Sequence, residues 1–158
     1  MKDDQRQHVS LEKETENTVR EARVVLPGIQ TLFGFQLIAV FNHRFTDLTT
    51  FEQYLHLGAL VLVAVAVALI MAPAAYHRIA DRGVVSRHFV DLASRYIAAA
   101  LVPLMLGIDF DVYLVCRLVT GSTVASVAIA AGVLALFAML WFVLPWRHSR
   151  LHSRTARA

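Results

Sequence analysis

The chain has 158 residues, of which 57% are hydrophobic and 17% charged, with a mean hydropathy of +0.55 and a formal net charge of +3. Soluble domains carry about 25% charged residues, so this chain lacks the polar surface for a water-covered sphere and reads as a membrane protein of about one domain's length. Its single cysteine, Cys116, excludes an intrachain disulfide, and no Cys/His cluster has zinc spacing.

Residues 1–17 mix acids and bases and predict a disordered cytoplasmic arm. They are too polar for the apolar core of a cleavable signal peptide, so the first apolar stretch is the expected insertion signal. Thr18 and Glu21 have the spacing of a capping box that starts a helix leading into it, with Pro27-Gly28 as the place where that helix kinks or restarts.

Charge-free windows place four membrane spans, at about 24–43, 55–76, 90–112 and 122–145, within a membrane domain covering 18–146. A span needs about 20 apolar residues at 1.5 Å each, and the first, second and fourth windows meet that length. The third does not. Only Tyr96 to Ile108 is free of charge, so its helix must carry Asp91 and Arg95 at one end, Asp109 and Asp111 at the other, or both.

Of the fifteen Lys and Arg residues, all but Arg44 and Arg117 fall on one side of an even-span topology. The positive-inside rule makes that side the cytoplasm and puts both termini there. Residues 147–158 form a basic tail suited to anionic headgroups. Within lipid, small residues four apart mark helix contacts, and such stripes occur as Ala64, Ala68 and Ala72, as Ser122, Ser126 and Ala130, and as Ala128 with Gly132. Short connections then predict an all-α, integral membrane, up-and-down four-helix bundle.

Three segments carry a resemblance: Leu26-Pro-Gly-Ile-Gln-Thr-Leu-Phe-Gly-Phe35 preceded by Glu21-Ala-Arg23, Ala72-Pro-Ala-Ala-Tyr-His-Arg-Ile79, and Trp141-Phe-Val-Leu-Pro145. Over roughly residues 19–146 the chain resembles a family of small, uncharacterised four-span bacterial membrane proteins, a domain of unknown function, some members of which are labelled sodium:proton antiporter. The resemblance implies a multi-pass protein of the bacterial inner membrane.

Few residues suggest chemistry. Asp109 and Asp111 lie where the third span should leave the membrane: buried, they become candidate proton or ion carriers; at the interface, they sit in water near Arg117 after a helix that ends at Gly107-Ile-Asp109. Asp91 and Arg95 form an i,i+4 pair, and the sharper alternative is a buried Arg95 holding a carboxylate such as Glu21. Tyr76, His77 and Arg78 are the anchors expected at a cytoplasmic span end, or, with Glu21, Arg23 and Arg95, a titratable cluster. Gln30 shares a face with Gly34, where a hydrogen bond across a close helix contact competes with the lining of a polar path; Gln36 lies about 120° away round the helix. Glu52 and His56, four apart near the outer interface, read as a surface pair.

His148 and His152 lack a third ligand among four arginines, so no metal is expected. No nucleotide-binding or hydrolase motif occurs, and no cofactor follows. The basic pI of about 9.4 is accounted for by positive-inside loops, without nucleic acid. The expected partners are the lipid bilayer and either a second copy or a membrane partner protein. The chain reads as a non-enzymatic structural or accessory subunit, with an oligomeric proton- or cation-coupled, antiporter-like transporter as the alternative.

Overall fold

The computed structural model describes residue 20, residues 24–79 and residues 87–147, and among these all regular structure is helical. Helix α1 includes Val24–Ala39, α2 is Thr50–Ile79, α3 is Arg87–Thr120 and α4 is Thr123–Ala138. Helices α2 and α3, and the continuous helical run Thr123–Arg147 that α4 begins, are each long and apolar enough to cross a membrane, and α1 is shorter. The expected arm, the Thr18/Glu21 capping box and the basic tail beyond Arg147 lie outside the described residues.

Two compact units divide the chain: unit 1 is Met1–Asn42 with Leu60–Leu104, and unit 2 is His43–Ala59 with Met105–Ala158. In unit 1, the buried residues are Ile29 and Gln36 of α1, Val63, Ala66, Ile70 and Pro73 of α2, and Ala93, Ala100 and Leu104 of α3. Unit 2 buries Leu48, Glu52, His56 and Ala59 from its first segment, Met105, Gly107, Asp109 and Leu114 from α3, and Ser126 and Ala130 from α4.

The buried residues of α2 are Glu52, His56, Ala59, Val63, Ala66, Ile70 and Pro73, alternating steps of four and three from end to end. A 3.5-residue repeat of this kind keeps one narrow seam facing inward along a helix, as in coiled coils. The seam is not the stripe that small-residue spacing suggests: Ala64 and Ala68 are exposed and Ala72 is half-buried. Likewise α4 uses one of its two stripes. Ser126 and Ala130 are buried, whereas Ala128 and Gly132 are exposed, and a Cβ placed on Gly132 would meet nothing within 4 Å.

Helix α1 stops at Ala39, where turns at Phe41 and Asn42 lead into a 3-10 helix, His43–Asp47. Helix α3 continues past Gly107-Ile-Asp109 to Thr120, and Gly121, at φ +66°, ends it. Glycine takes that left-handed conformation without the Cβ penalty. Ser122 then caps α4, its hydroxyl accepting from the Ala125 N–H at 3.3 Å. The two prolines inside α2 and α3, Pro73 and Pro103, each remove one helical hydrogen bond without ending the helix. After Ala138 the chain widens into a π-helical turn, Met139–Val143, with the Leu144 N–H bonded to the Met139 carbonyl. Pro145 explains it: a proline ring crowds the carbonyl four residues back, here that of Trp141, and a wider turn relieves the clash.

Candidate functional site

The polar interior of unit 2 begins at the N-terminus of α2. Thr49 and Glu52 form a capping box, in which the Thr49 N–H and Oγ1–H both donate to Glu52 Oε2 at 2.9 Å, and the Glu52 N–H donates to Thr49 Oγ1 at 3.3 Å. Gln53 Nε2 donates to the carbonyls of Phe45 and Leu48, holding the 3-10 segment against the same helix end.

The other oxygen of Glu52 reaches across to α3. Arg117 Nε donates to Glu52 Oε1 at 2.7 Å, and Arg117 Nη1 donates to the Gly121 carbonyl at 2.7 Å. An unbroken chain of hydrogen bonds therefore runs from the Thr49 N–H just before α2, through one carboxylate and one guanidinium, to a carbonyl just past the end of α3. Both charges favour this placement, because an acid stabilises a helix N-terminus and a base a C-terminus. The Glu52 side chain is 5% exposed and that of Arg117 22%. A charge buried to that degree is tolerated when its hydrogen-bonding atoms are engaged, and Glu52 has both oxygens engaged.

One turn further along α2, His56 Nδ1 lies 3.4 Å from Asp111 Oδ1 of α3. Phe45 packs edge-on against the imidazole, with ring centroids 5.5 Å apart. Glu52 and His56 thus share one face of α2, and each meets a different residue of α3. They are not a surface pair with each other; both are buried.

Asp109 stands apart. It is two residues before Asp111, about 200° round the helix, on the side that also buries Met105. Its Oδ1 is buried with no hydrogen-bond partner among the described residues. Of the two acids weighed together from the sequence, Asp111 is therefore engaged by an imidazole and Asp109 is a buried carboxyl of a different kind.

Other candidate residues fall elsewhere. Glu21 and Arg23 lie outside the described residues, as does the side chain of His77, while Tyr76, Arg78, Asp91 and Arg95 are exposed. Exposure of Arg95 removes the alternative in which it is buried around a carboxylate. Gln30 is exposed, and Gly34 has open space where a Cβ would stand, so no close helix contact occurs there among the described residues; Gln36 is the buried glutamine of α1. Among the described residues no group of three or more His, Cys, Asp or Glu is arranged to hold a metal ion.

Thr49 and Tyr113, whose side chain lies beside Arg117, carried no weight in the sequence. The Thr49-x-x-Glu52 spacing was a legible signal for the first; nothing in the order of residues pointed to the second.

A chain whose described regular structure is all helical, with three helical runs apolar enough to span a bilayer and with Glu52, His56 and Asp109 buried on two of them, has the character of a membrane protein. Residues 4–145 match the DUF6328 family, a family of unknown function. The chain belongs to that family. No curated protein and no solved structure matches it.

Proposed function

We propose that the chain is a multi-pass protein of the bacterial inner membrane, with four spans and both termini in the cytoplasm, acting as a structural or accessory subunit. The observation that carries the reading is the double use of Glu52, which caps α2 and binds the base that closes α3. Charges spent in this way lock helix ends together rather than stand open to a solute. The rest of the buried seam supports the same reading: from Ala59 to Pro73 on α2 it has no ionisable side chain, so no row of polar groups leads away from the cluster. The outward faces are apolar, above all that of the helical run Thr123–Arg147, whose most apolar stretch is only 6% buried. Lipid covers such a surface, and a second copy or a membrane partner protein docks on it.

A second reading, proton- or cation-coupled transport of the antiporter kind, is favoured by one observation, the buried and unpartnered Oδ1 of Asp109. Reconstitution separates the two. Proteoliposomes with an internal pH-sensitive dye and imposed proton or sodium gradients are expected to show no flux above empty liposomes. Flux that appears with the wild-type chain and disappears with Asp109→Asn would replace the accessory reading by the transport one.

A further inference from the structure

We propose that Asp109 is a proton-binding site inside unit 2, its carboxyl present as the neutral acid in an environment that no base among the described residues reaches. The geometry is specific. Asp109 is 7% exposed, and its Oδ1 is fully buried without a hydrogen-bond partner among the described residues. An ionised carboxylate so placed has neither water nor a donor to replace the hydration it loses, whereas the neutral acid loses far less on burial.

Among the described residues of unit 2, each base is either engaged by another group or exposed. Arg117, two helical turns further along α3, is held by Glu52 Oε1 and the Gly121 carbonyl. His56 of α2 lies against Asp111. Arg44 of the 3-10 segment, which also carries His43, is exposed and lies 3.7 Å from Asp47. Helix α4 carries no ionisable residue from Thr123 to Ala138, and the next base beyond it, Arg147, is exposed. The remaining titratable groups of this part of α3 are Asp111, Tyr113 and Cys116, none of which is a cation at neutral pH.

This assignment goes beyond the accessory reading and does not require transport: a buried acid binds its proton whether or not the proton crosses. The absence of flux therefore leaves it standing, and it needs a test of its own. Hydrophobic carbodiimides react with protonated carboxyls in apolar surroundings. The acid proton passes to a carbodiimide nitrogen, the carboxylate adds to the central carbon, and the adduct rearranges to a stable N-acylurea.

The purified full chain in lipid nanodiscs is treated with dicyclohexylcarbodiimide and followed by intact mass and peptide mapping. The expected result is one adduct on Asp109, formed at least ten-fold faster than any on Asp47 or Asp91, slowing as pH rises and indifferent to replacement of choline chloride by sodium chloride. Asp111→Asn should retain that adduct and Asp109→Asn should lose it. Because Asp109→Asn replaces a neutral acid by a neutral amide of the same shape, its thermal midpoint should match the wild type. No adduct on Asp109, or one formed no faster than on the exposed acids, overturns the proposal. Ten-fold protection by sodium at constant ionic strength overturns it in favour of a sodium site, and a large loss of stability in Asp109→Asn overturns it by showing that a charged carboxylate was needed.

Discussion

Helix α2 belongs to both units, and its inward seam keeps one 3.5-residue spacing throughout while its filling changes. In unit 2 the seam positions hold Glu52 and His56; in unit 1 they hold Val63, Ala66, Ile70 and Pro73. Each of the two ionisable residues meets a partner on α3, whereas the apolar ones have only shape and dispersion to place them. Hydrogen bonds specify register because a missed partner is costly, while small apolar residues permit close approach without dictating it. Unit 2 is where the helix alignment is specified, and unit 1 is where it is filled.

The sharpest way to break this contrast is at Glu52. Glu52→Ala removes the acceptor of the α2 cap and the partner of Arg117 in one change, at an expected cost of about 3 kcal/mol. It would be read as a lowered unfolding midpoint in mixed micelles. Arg117→Ala leaves the capping box intact and should cost less. The double variant should lose less than the sum of the two, since the groups act on each other. Strict additivity would show that the clasp is no unit at all.

Next comes the apolar seam. Ala66 is fully buried, so Ala66→Leu overpacks it and should cost about 2 kcal/mol. Ala64→Leu, on the exposed face, should stay within about 0.5 kcal/mol. The reverse order would place the seam on the stripe of Ala64 and Ala68 instead. A smaller loss than at Ala66 is expected at Gly121, whose φ is +66° but where an added Cβ would meet open space. Gly121→Ala pays only for the left-handed backbone, about 1 kcal/mol in the same unfolding assay.

Much of the helical content was legible, for a physical reason: apolar runs of 20 residues have few alternatives. The inward face was not. In α2 the exposed Ala64, Val65 and Ala68 are as apolar as the buried Val63 and Ala66, so no contrast in polarity marks the seam. Small-residue spacing then pointed to the wrong stripe. Glu52 and His56 were misread because i,i+4 spacing is visible locally, while Arg117 lies 65 residues away from Glu52. Asp109 and Asp111 are close in sequence but a helix separates their directions, and only the length of α3, unbroken to Thr120, decides that both belong to helical faces. The π turn before Pro145 was hidden because proline tells where a helix must adjust, not whether it bends, ends or widens.

The two-residue link of Gly121 and Ser122 carries a consequence for how the chain would enter a bilayer. With so little slack, α3 and α4 would be threaded as one hairpin, their insertion energies summed rather than decided one helix at a time. Helix α4 supplies seven Val, Leu, Ile and Phe residues and no charge, at roughly 0.3–0.6 kcal/mol each on the insertion scale, or about 3 kcal/mol together. One charged residue at a helix centre costs a similar amount. In a bilayer, the featureless α4 would thereby be the ballast that lets its acid-bearing neighbour go in.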